Sequence, residues 1–496
     1  MLRTLLLSLK RLLPRPGAPL VSLVWAIALK GLLVLWTMHA WQLWDQPGWL
    51  KPTGDTESYT RPIENWIAYG TYAFDMERPI TYYGRMPGLI IPYGVFRYLG
   101  LQEAEAQRAL LLFHLLFEAL ATVAFAAWAH RLFAHWVVYQ LAFLAYSLTH
   151  LGSYFIVALA PESLALSALT LALYTLYRAR NDAGWRWPLL AGLLLTWAVF
   201  LKAYLVLLLP VAGLYLFWGW RWRVAMAFTL PFLLIDGAWT LRNYTVTGRA
   251  EPLADIYAGY GYDASEIALG KLVGAWGCDR IEWQPKAEIR WFTQAYRHQS
   301  IGPRVDSLPA RVFVSAYTTA DLAKFRHELR VLRQATPPGP AYQSKDSLLA
   351  AQANGWRKAY ISARPLEYYL VNPVRLIIRL VNHSGVYHLT ATAADRLPRW
   401  QWLLKAFQSL LHHLFTWVAW LLLLGLVLYG LRLRTDWLPE ALLLLGFLVM
   451  QWLVFGVLFR TIEYRYCATF YLIGMATWVL FTLVVGGRLT LRRWGI

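Results

Sequence analysis

The chain has few charged residues and almost no cysteine, and both shortages narrow the class of protein. Charged residues make up 15% of the 496 positions, whereas soluble domains average about 25%. The hydrophobic fraction is 58%, so the composition is that of a membrane protein. There are two cysteines, Cys278 and Cys467. Because the second begins an apolar run, we expect no disulfide framework.

Several signatures of soluble enzymes are also absent. The chain contains no HExxH, CxxC, Walker or GxGxxG pattern, which leaves zinc-protease, P-loop and dinucleotide-binding functions without support. Acids are scarce: 28 Asp and Glu stand against 47 Lys and Arg, for a net charge of +19. In a membrane protein this excess is typical of cytoplasmic loops that face anionic lipids. We therefore expect membrane lipids as partners, and no nucleic acid.

Long apolar runs divide the chain into about ten candidate membrane spans. Runs of roughly 17 to 25 residues are long enough to cross the bilayer. They lie at 20–44, 107–132, 136–152, 159–178, 188–204, 205–220, 223–241, 403–430, 437–459 and 466–487. The N-terminal tail resembles a signal sequence, but the first run is long enough to span and lacks a small-residue cleavage site. We interpret it as a retained helix.

Basic residues predict the orientation of these spans. With a cytoplasmic N-terminus, the inside segments are both tails and the loops 133–135, 179–187, 220–223 and 431–436. These segments hold arginine and lysine with almost no acids, which is the positive-inside pattern. The sequence thus predicts a multi-pass protein of the inner or plasma membrane with both termini in the cytoplasm.

The expected fold class is all-α: a polytopic transmembrane helical bundle with a mostly helical extracytoplasmic insertion. We predict an N-terminal transmembrane module at 1–241, with its polar first outer loop at 45–106 as the catalytic segment. The segment 242–402 is the long polar insertion, and its patterning favours helices. A C-terminal transmembrane module follows at 403–496.

Charged residues gather at the predicted outer ends of several spans. A charge at the hydrocarbon boundary costs about 2.5–3.5 kcal/mol on insertion scales, so such residues usually pair or line a site. The set comprises Asp55, Glu57, Arg85, Glu162, Lys202, Arg242, Arg460, Glu463 and Arg465. Their common depth predicts a shared pocket, in which a carboxylate accepts a proton and cations hold a phosphate.

Each residue also has a structural interpretation, which the sequence leaves open. Asp55 could be the N-cap of a helix, and Glu162 could complement a helix N-terminus. Arginines at span ends commonly snorkel to the interface. Lys202 is harder to explain in this way, because it lies within an apolar run. Deeper in the bilayer, His114 and Glu118 lie on one helical face and could bond each other.

A phosphate-bearing substrate at the outer face is expected to be a lipid. Nucleotide-binding motifs are absent from the chain, and nucleotide sugars are scarce outside the cytoplasm. We therefore expect a sugar linked to polyprenyl phosphate, with its tail in the bilayer and its head among the cations.

Several motifs resemble one known family. In chain order they are DTESY, YGTYAFD, RMPGLIIPYGVF, LAPESLALSALTLALY, GLLLTWAVFLKAYLVLLLP, WTLRNYTVTGR and EYRY. Together they resemble the lipid-phosphate-sugar-dependent GT-C glycosyltransferases of the dolichyl-phosphate-mannose protein mannosyltransferase type (family 39). That group includes bacterial aminoarabinose transferases acting on lipid A. The resemblance covers roughly 20–250 and 403–487.

The resemblance implies a GT-C fold and roles for individual residues. Asp55 matches the catalytic acid and Glu162 the second acidic position, while Glu57 leaves open which of the two neighbouring acids is the base. Arg85, Lys202 and Arg465 match positions near the donor phosphate. The full set of donor-binding candidates is Tyr59, Arg85, Lys202, Arg242, Arg460 and Arg465. No metal ligand is assigned, although the oligosaccharyltransferase branch uses a divalent metal, so a metal cofactor stays open.

The expected activity is inverting transfer of a monosaccharide from polyprenyl phosphate to an extracytoplasmic hydroxyl. The acceptor is a lipid, a glycan or a protein, and the sequence identifies neither the acceptor nor the sugar. Two alternatives stay open. An O-antigen ligase or polymerase would depend on arginines, with Asp55 dispensable. A lipid flippase or transporter would place charges near mid-membrane in pseudo-repeated halves.

Overall fold

Helices are the only regular secondary structure in the part of the chain that the structure describes. The structure is a computed structural model, and it describes residues 14–77, 80, 82, 85–218, 221–253, 264–277, 308, 310–334, 340–382, 386–392, 396–460 and 467–493. Within these ranges there is no strand, and extended pairing is limited to two isolated backbone bridges. The predicted all-α class is confirmed.

The helices follow one another with short connections. The α-helices are α1 (Pro19–Ala40), α2 (Thr56–Tyr69), α3 (Tyr93–Tyr98), α4 (Glu103–Phe133), α5 (Trp136–Ser147), α6 (His150–Ile156), α7 (Glu162–Asn181), α8 (Arg186–Leu201), α9 (Leu208–Phe217), α10 (Trp222–Thr247), α11 (Ala264–Ala275), α12 (Thr319–Gln334), α13 (Pro340–Ala363), α14 (Asn372–Val381), α15 (Val386–Thr390), α16 (Arg399–His413), α17 (Ala419–Leu433), α18 (Leu438–Trp452) and α19 (Cys467–Arg493). Short 3₁₀ turns lie at Leu43–Asp45, Pro87–Ile90, Ala203–Leu207 and Ala310–Val312, and π-helical turns at Glu367–Val371, Leu414–Val418 and Leu453–Leu458.

Each of the ten predicted apolar runs is helical, and six helices of the described chain are long and apolar enough to cross a membrane. These six are Pro19–Ala40, Glu103–Phe133, Trp222–Thr247, Arg399–Leu433, Leu438–Leu458 and Cys467–Val485. Shorter apolar helices cover Trp136–Ser147, Arg186–Leu201 and Ala203–Phe217. The protein is therefore a multi-pass membrane protein. The orientation of its termini stays a prediction.

Two of the predicted runs are interrupted. The run 136–152 is divided between α5 and α6 at Thr149, whose backbone is extended. The run 188–204 is interrupted at Lys202, whose backbone is extended (φ −145°, ψ 95°), so helix α8 ends at Leu201. A 3₁₀ turn follows before α9. The break places Lys202 at a helix end, where its side chain can turn toward neighbouring segments.

Helix α7 lies at the centre of the first of two compact units. This unit comprises Met1–Gly259, Ser384–Leu448 and Ala468–Ile496. Helix α7 packs against α8 and α4, and α8 also packs against α10. Most residues of α7 are buried, including polar ones near its start. Such a helix is held on all sides, so it gives the residues at its N-terminus a fixed position.

A polar network is buried inside the same unit. Lys30 of α1 donates to Glu118 of α4 over 3.4 Å, and both side chains are fully buried. Glu118 also accepts hydrogen bonds from Ser167 (2.6 Å) and Tyr146 (3.3 Å). A Cβ on Gly152 of α6 would overlap the Glu118 carboxylate, so the glycine lets α6 approach this pair closely. The network therefore joins α1, α4, α5 and α7 around one ion pair.

The second compact unit has a core of its own. It comprises Tyr260–His383 and Val449–Cys467. It is thus narrower than the predicted insertion 242–402 at both ends and includes a segment from beyond it. Helix α11 packs against α13, and the buried core contains the rings of Trp276 and Trp356. The described residues of this unit form helices and turns.

Candidate active site

A short parallel backbone pairing joins the first outer loop to the segment before α7. Two backbone hydrogen bonds, of 2.7 and 2.9 Å, connect Lys51 to residues 157–159 and set it opposite Ala158. Asp55 lies four residues beyond Lys51, and Glu162 lies four residues beyond Ala158. Both candidate acids therefore follow the same pairing in the same direction.

Asp55 faces Arg85. It occupies the N-cap position of α2, but its side chain makes no capping hydrogen bond. The carboxylate pairs instead with Nη2 of Arg85 at 3.1 Å, and the two side chains are 26% and 24% exposed. Nε of Arg85 donates to the hydroxyl of Ser58 at 3.1 Å. Helix capping therefore does not account for the Asp55 carboxylate, which is partly shielded from water beside a cation.

Lys202 and Glu162 form a buried ion pair. Nζ of Lys202 donates to Oε1 of Glu162 at 2.6 Å and to the hydroxyl of Tyr59 at 3.0 Å. The side chains of the pair are 7% and 4% exposed. Removing either charge from water is costly, so each depends on its partner and on further hydrogen bonds. Residues from α2, α7 and the break after α8 thus meet at one point.

Tyr59 connects the two ion pairs. Its hydroxyl accepts from Lys202, and its ring centroid lies 5.0 Å from the guanidinium of Arg85. Attraction between the cation and the ring favours this position of Arg85. The result is a continuous chain of contacts that runs through Asp55, Arg85, Tyr59, Lys202 and Glu162.

Close packing fixes the end of the outer loop against the end of α8. A Cβ on Gly88 would lie 2.5 Å from backbone atoms of the last two residues of that helix. The indole N–H of Trp197 also donates to the Gly88 carbonyl at 3.0 Å. Arg85 precedes Gly88 by three residues, and Lys202 directly follows α8. This contact therefore sets the positions of the two cations relative to each other.

A bidentate ion pair anchors α2 on α3. Arg97 donates to both oxygens of Glu64, at 2.8 and 2.7 Å, and the hydroxyl of Tyr93 donates to the same carboxylate at 2.8 Å. Burial raises the pKa of Glu64, but the hydrogen bonds from Arg97 and Tyr93 outweigh it and hold that pKa below its usual value. The helix that carries Tyr59 is thereby held in place.

Glu57 points away from the site. Its side chain is 69% exposed and pairs with Arg61, one turn further along α2, at 3.0 Å. Of the two neighbouring acids, Asp55 is the one that contacts the site cations. The contacts thus distinguish the two acids, whereas the identity of the base stays a prediction.

Arg242 holds the first outer loop in place. Its guanidinium donates to the backbone carbonyls of Tyr72 and Tyr82 and lies 4.9 Å from the ring centroid of Trp239. These contacts orient the loop around Asp55. They give Arg242 a structural role and lend no support to its predicted contact with a donor phosphate.

Arg460 belongs to the second unit, where backbone carbonyls surround it. Its guanidinium donates to Gly274 at 3.0 Å, to Tyr368 at 2.8 Å and to Val457 at 3.2 Å. The side chain is buried, and these bonds explain it without a ligand. Arg465 lies outside the described residues, as do Glu463 and Cys278.

His114 and Glu118 do not bond each other, contrary to the hypothesis from their spacing. Nδ1 of His114 lies 3.1 Å from the carbonyl oxygen of Ile156, whereas Glu118 pairs with Lys30. Each side chain reaches a different neighbouring helix, so a shared helical face did not predict a contact. The lysine inside the first apolar run was a signal that sequence reasoning passed over.

Sequence reasoning also missed Lys51. Its Nζ lies 3.0 Å from the ring centroid of Trp41 and donates to the hydroxyl of Tyr154 at 3.3 Å. Burial lowers the pKa of Lys51 to about 8. In the sequence it follows tryptophans at a span end and resembles an ordinary interfacial cation. Its partner Tyr154 lies more than 100 residues away in the chain, so the sequence does not reveal this contact.

The described residues of the candidate site supply carboxylates and cations rather than a cluster of metal ligands. Within the described ranges, no group of three or more His, Cys, Asp or Glu side chains is placed to hold a metal ion. The arrangement can accept a proton at a carboxylate and hold an anion with lysine and arginine.

Comparison with a solved structure gives a distant similarity. The chain is similar to ArnT from Cupriavidus metallidurans bound to undecaprenyl phosphate, with 14% sequence identity and a TM-score of 0.28. The similarity covers 90% of this chain and 77% of that chain. A TM-score this low supports no conclusion about fold, site or ligand. Comparison with curated proteins gives no match.

A family model matches the centre of the first unit. The model describes dolichyl-phosphate-mannose-protein mannosyltransferase, and it matches residues 100–238. The matched segment contains Glu162 and Lys202, whereas Asp55 and Arg85 precede it. The resemblance to this mannosyltransferase family that the motifs indicated is therefore confirmed over residues 100–238.

Proposed function

We propose that the protein is a membrane glycosyltransferase that moves a monosaccharide from a polyprenyl-phosphate donor to an acceptor hydroxyl, with inversion at the anomeric carbon. The observation that carries this proposal is the chain of contacts that links Asp55, Arg85, Tyr59, Lys202 and Glu162. It places a carboxylate that can accept a proton beside cations that can hold a phosphate. The family match over 100–238 supports the same class of reaction.

In the proposed reaction, the acceptor oxygen attacks the anomeric carbon while the bond from that carbon to the phosphate oxygen breaks. The bonding electron pair leaves with the phosphate, which becomes a monoester with one more negative charge. The proton of the acceptor hydroxyl passes to the carboxylate of Asp55. Attack opposite the departing phosphate inverts the anomeric centre, and no further reactant is needed.

Lys202 is suited to hold the departing phosphate. Its ammonium has three N–H donors, two of which go to Tyr59 and Glu162. Within the described chain the third has no protein partner, so it can donate to a phosphate oxygen. Glu162 acts in this scheme as a positioning residue, because it fixes the amine of Lys202 before the donor binds.

The site is proposed to lie on the extracytoplasmic side, within a GT-C fold, and the donor to enter it from the bilayer. The distribution of basic loops supports this side, because it places the first outer loop opposite the positively charged face. The apolar helices around the site give a polyprenyl tail an environment of matching polarity. The charged contacts at the helix ends would then receive the headgroup.

Replacement of Asp55 by Asn tests the proposal. The amide keeps the shape of the side chain but cannot accept the proton, so transfer should fall by about 10²-fold or more. Polyprenyl-phosphate monosaccharides are offered in turn to purified protein together with lipid, glycan or protein acceptors, and released polyprenyl phosphate is measured. Thermal stability in detergent is measured in parallel and should stay near the wild-type value.

Glu57→Gln separates the two neighbouring acids. Because Glu57 is exposed and contacts Arg61, this variant should transfer at close to the wild-type rate. Normal transfer by Asp55→Asn would refute the assignment of the base. If arginine variants lost activity at the same time, a ligase or polymerase that depends on arginine would be the better description.

A further inference from the structure

Among the described residues, the candidate site contains two ion pairs and, nearby in the same loop, a lysine without a carboxylate at ion-pair distance. Asp55 pairs with Arg85, and Glu162 pairs with Lys202, so both pairs are neutral. Lys51 lies in the same outer loop, and no described carboxylate lies within ion-pair distance of its amine. Lys51 therefore adds a positive charge to the two neutral pairs that the described residues form.

Aromatic side chains hold the amine of Lys51 in place. Its Nζ lies 3.0 Å from the ring centroid of Trp41, 5.5 Å from that of Tyr154 and 3.3 Å from the Tyr154 hydroxyl. Tyr387 packs edge-on against Trp41, with 5.2 Å between the centroids. Ring faces attract a cation but carry no net negative charge. The amine is therefore positioned in advance, and its charge stays available to an anion.

The backbone pairing places Lys51 in the segment that leads to the proposed acids. Lys51 stands opposite Ala158 in the parallel pairing, and the hydroxyl of Thr56 donates to the carbonyl of Leu159 at 2.9 Å. The four residues from Lys51 to Asp55 span at most about 14 Å even when fully extended. Lys51 thus belongs to the same small region of the first unit as the base.

We propose that Lys51 binds an oxygen of the donor phosphate and is part of the donor-binding site. This inference rests on the proposed function and names a further residue of the same site. When the sugar leaves, the phosphate gains a negative charge. A preorganised cation therefore stabilises the transition state more than it stabilises the bound donor before reaction.

The binding of donor should depend on pH through this amine. Burial lowers the pKa of Lys51 to about 8 in the unliganded protein, and a bound phosphate favours the charged form. Affinity should therefore be highest below pH 8 and should fall as the pH rises through that value. Among the described residues, the titratable group in contact with the amine is the hydroxyl of Tyr154, and Tyr387 packs against the Trp41 ring. An arginine in its place would stay charged over this range.

Binding of a polyprenyl phosphate to the full chain in lipid nanodiscs, with no acceptor present, tests the proposal. At pH 7 the dissociation constant of Lys51→Gln should rise by about tenfold or more, as for loss of a charge-assisted hydrogen bond. That of Lys51→Arg should stay within about threefold of wild type. Lys324→Gln removes the same charge from an exposed site in the second unit and should bind normally.

The pH series gives a readout that a merely structural lysine would not move. Between about pH 7 and 9.5, wild-type affinity should fall while that of Lys51→Arg stays level. Trp41→Leu should expose the amine to water and raise the pH at which affinity falls, toward the ordinary lysine pKa of about 10.4. Inorganic phosphate should compete with the polyprenyl phosphate, whereas phosphatidylglycerol should compete poorly.

Three results would overturn the proposal. The first is a dissociation constant for Lys51→Gln within about twofold of wild type, and the second is one flat pH profile shared by wild type and Lys51→Arg. The third is equal competition by phosphatidylglycerol, which would assign Lys51 to bulk lipid. None of these depends on transfer, so each can occur while Asp55→Asn still abolishes activity. Conversely, normal transfer by Asp55→Asn with lost binding in Lys51→Gln would refute the base and keep the phosphate contact.

Discussion

Gly88→Ala should separate the first outer loop from the end of α8. A Cβ at this position would lie 2.5 Å from the carbonyl carbon and oxygen of Phe200 and from the nitrogen of Leu201. Ordinary van der Waals contact begins near 3.4 Å, so the two segments must move apart by about 0.9 Å. Backbone atoms at a helix end cannot rotate away as the tip of a flexible side chain could.

The size of this displacement sets the expected loss of activity. Forcing an extra methyl group into a packed contact typically costs about 1–3 kcal/mol of stability. A shift of about 1 Å in groups that position a substrate can cost about 10²-fold in rate. Arg85 and Lys202 lie on opposite sides of the Gly88 contact, so the shift alters the distance between them. We expect transfer to fall by about 10- to 100-fold, with a modest loss of stability.

The assay compares two alanine variants of the same loop. Gly54→Ala adds the same methyl group where nothing lies within 4 Å, so it is the matched control and should keep its activity. Release of polyprenyl phosphate is measured at saturating donor, together with the melting temperature in detergent. A wild-type rate for Gly88→Ala would show that the two cations need not be held at this distance.

Three further variants test other contacts of the first unit. Lys30→Met leaves Glu118 buried without its cation and should destabilise the protein by about 3–5 kcal/mol. Adding Glu118→Leu should recover most of that loss of stability in a thermal melt. No recovery would show that the two side chains are not coupled. Tyr59→Phe keeps the ring but removes the acceptor for the buried ammonium, so transfer should fall by about fivefold or more, and an unchanged rate would exclude that bond from catalysis. The carboxylate of Glu64 has a lowered pKa because the hydrogen bonds from Arg97 and Tyr93 outweigh burial. Its contribution to stability is therefore present above the unfolded pKa near 4.5 and is lost as the pH falls through the folded pKa. The melting temperatures of wild type and Glu64→Gln should differ at pH 6 and converge in acid, and parallel curves would contradict this.

The helical architecture was predictable because apolar length alone specifies a membrane helix. All ten apolar runs are helical, including the weakly divided run 188–220. The break within that run falls at Lys202, where the sequence shows a charge among apolar residues. Its backbone conformation was not predictable, because the neighbours that hold the extended form belong to other helices.

The contact between distant site residues was predictable in part. Asp55, Arg85, Lys202 and Glu162 were expected to meet because charges at one depth of a membrane protein tend to pair. Their specific pairing, in which Tyr59 bridges two ion pairs, depends on tertiary packing. A charge at a span end shows that a partner is needed, but it does not show which partner.

The contacts of Arg242 and Arg460 were not predictable for the same reason. A guanidinium can satisfy itself on backbone carbonyls as readily as on a phosphate, and Arg242 and Arg460 do so. Sequence pattern does not distinguish these two acceptors. The exposed position of Glu57 was easier to predict from the sequence, because Arg61 lies four residues later on the same helix and this spacing favours a surface ion pair.

The pairing of Lys51 with Ala158 limits which changes in loop length the protein can tolerate. Each acid is reached from the paired residues by four peptide units. One residue inserted into 52–54 or into 159–161 would displace one acid by about 3.3–3.6 Å and leave the other in place. Insertions near Asp75, past the end of α2, change neither path. The relative position of the two acids is thus set by two short stretches of matched length, more than 100 residues apart in the chain.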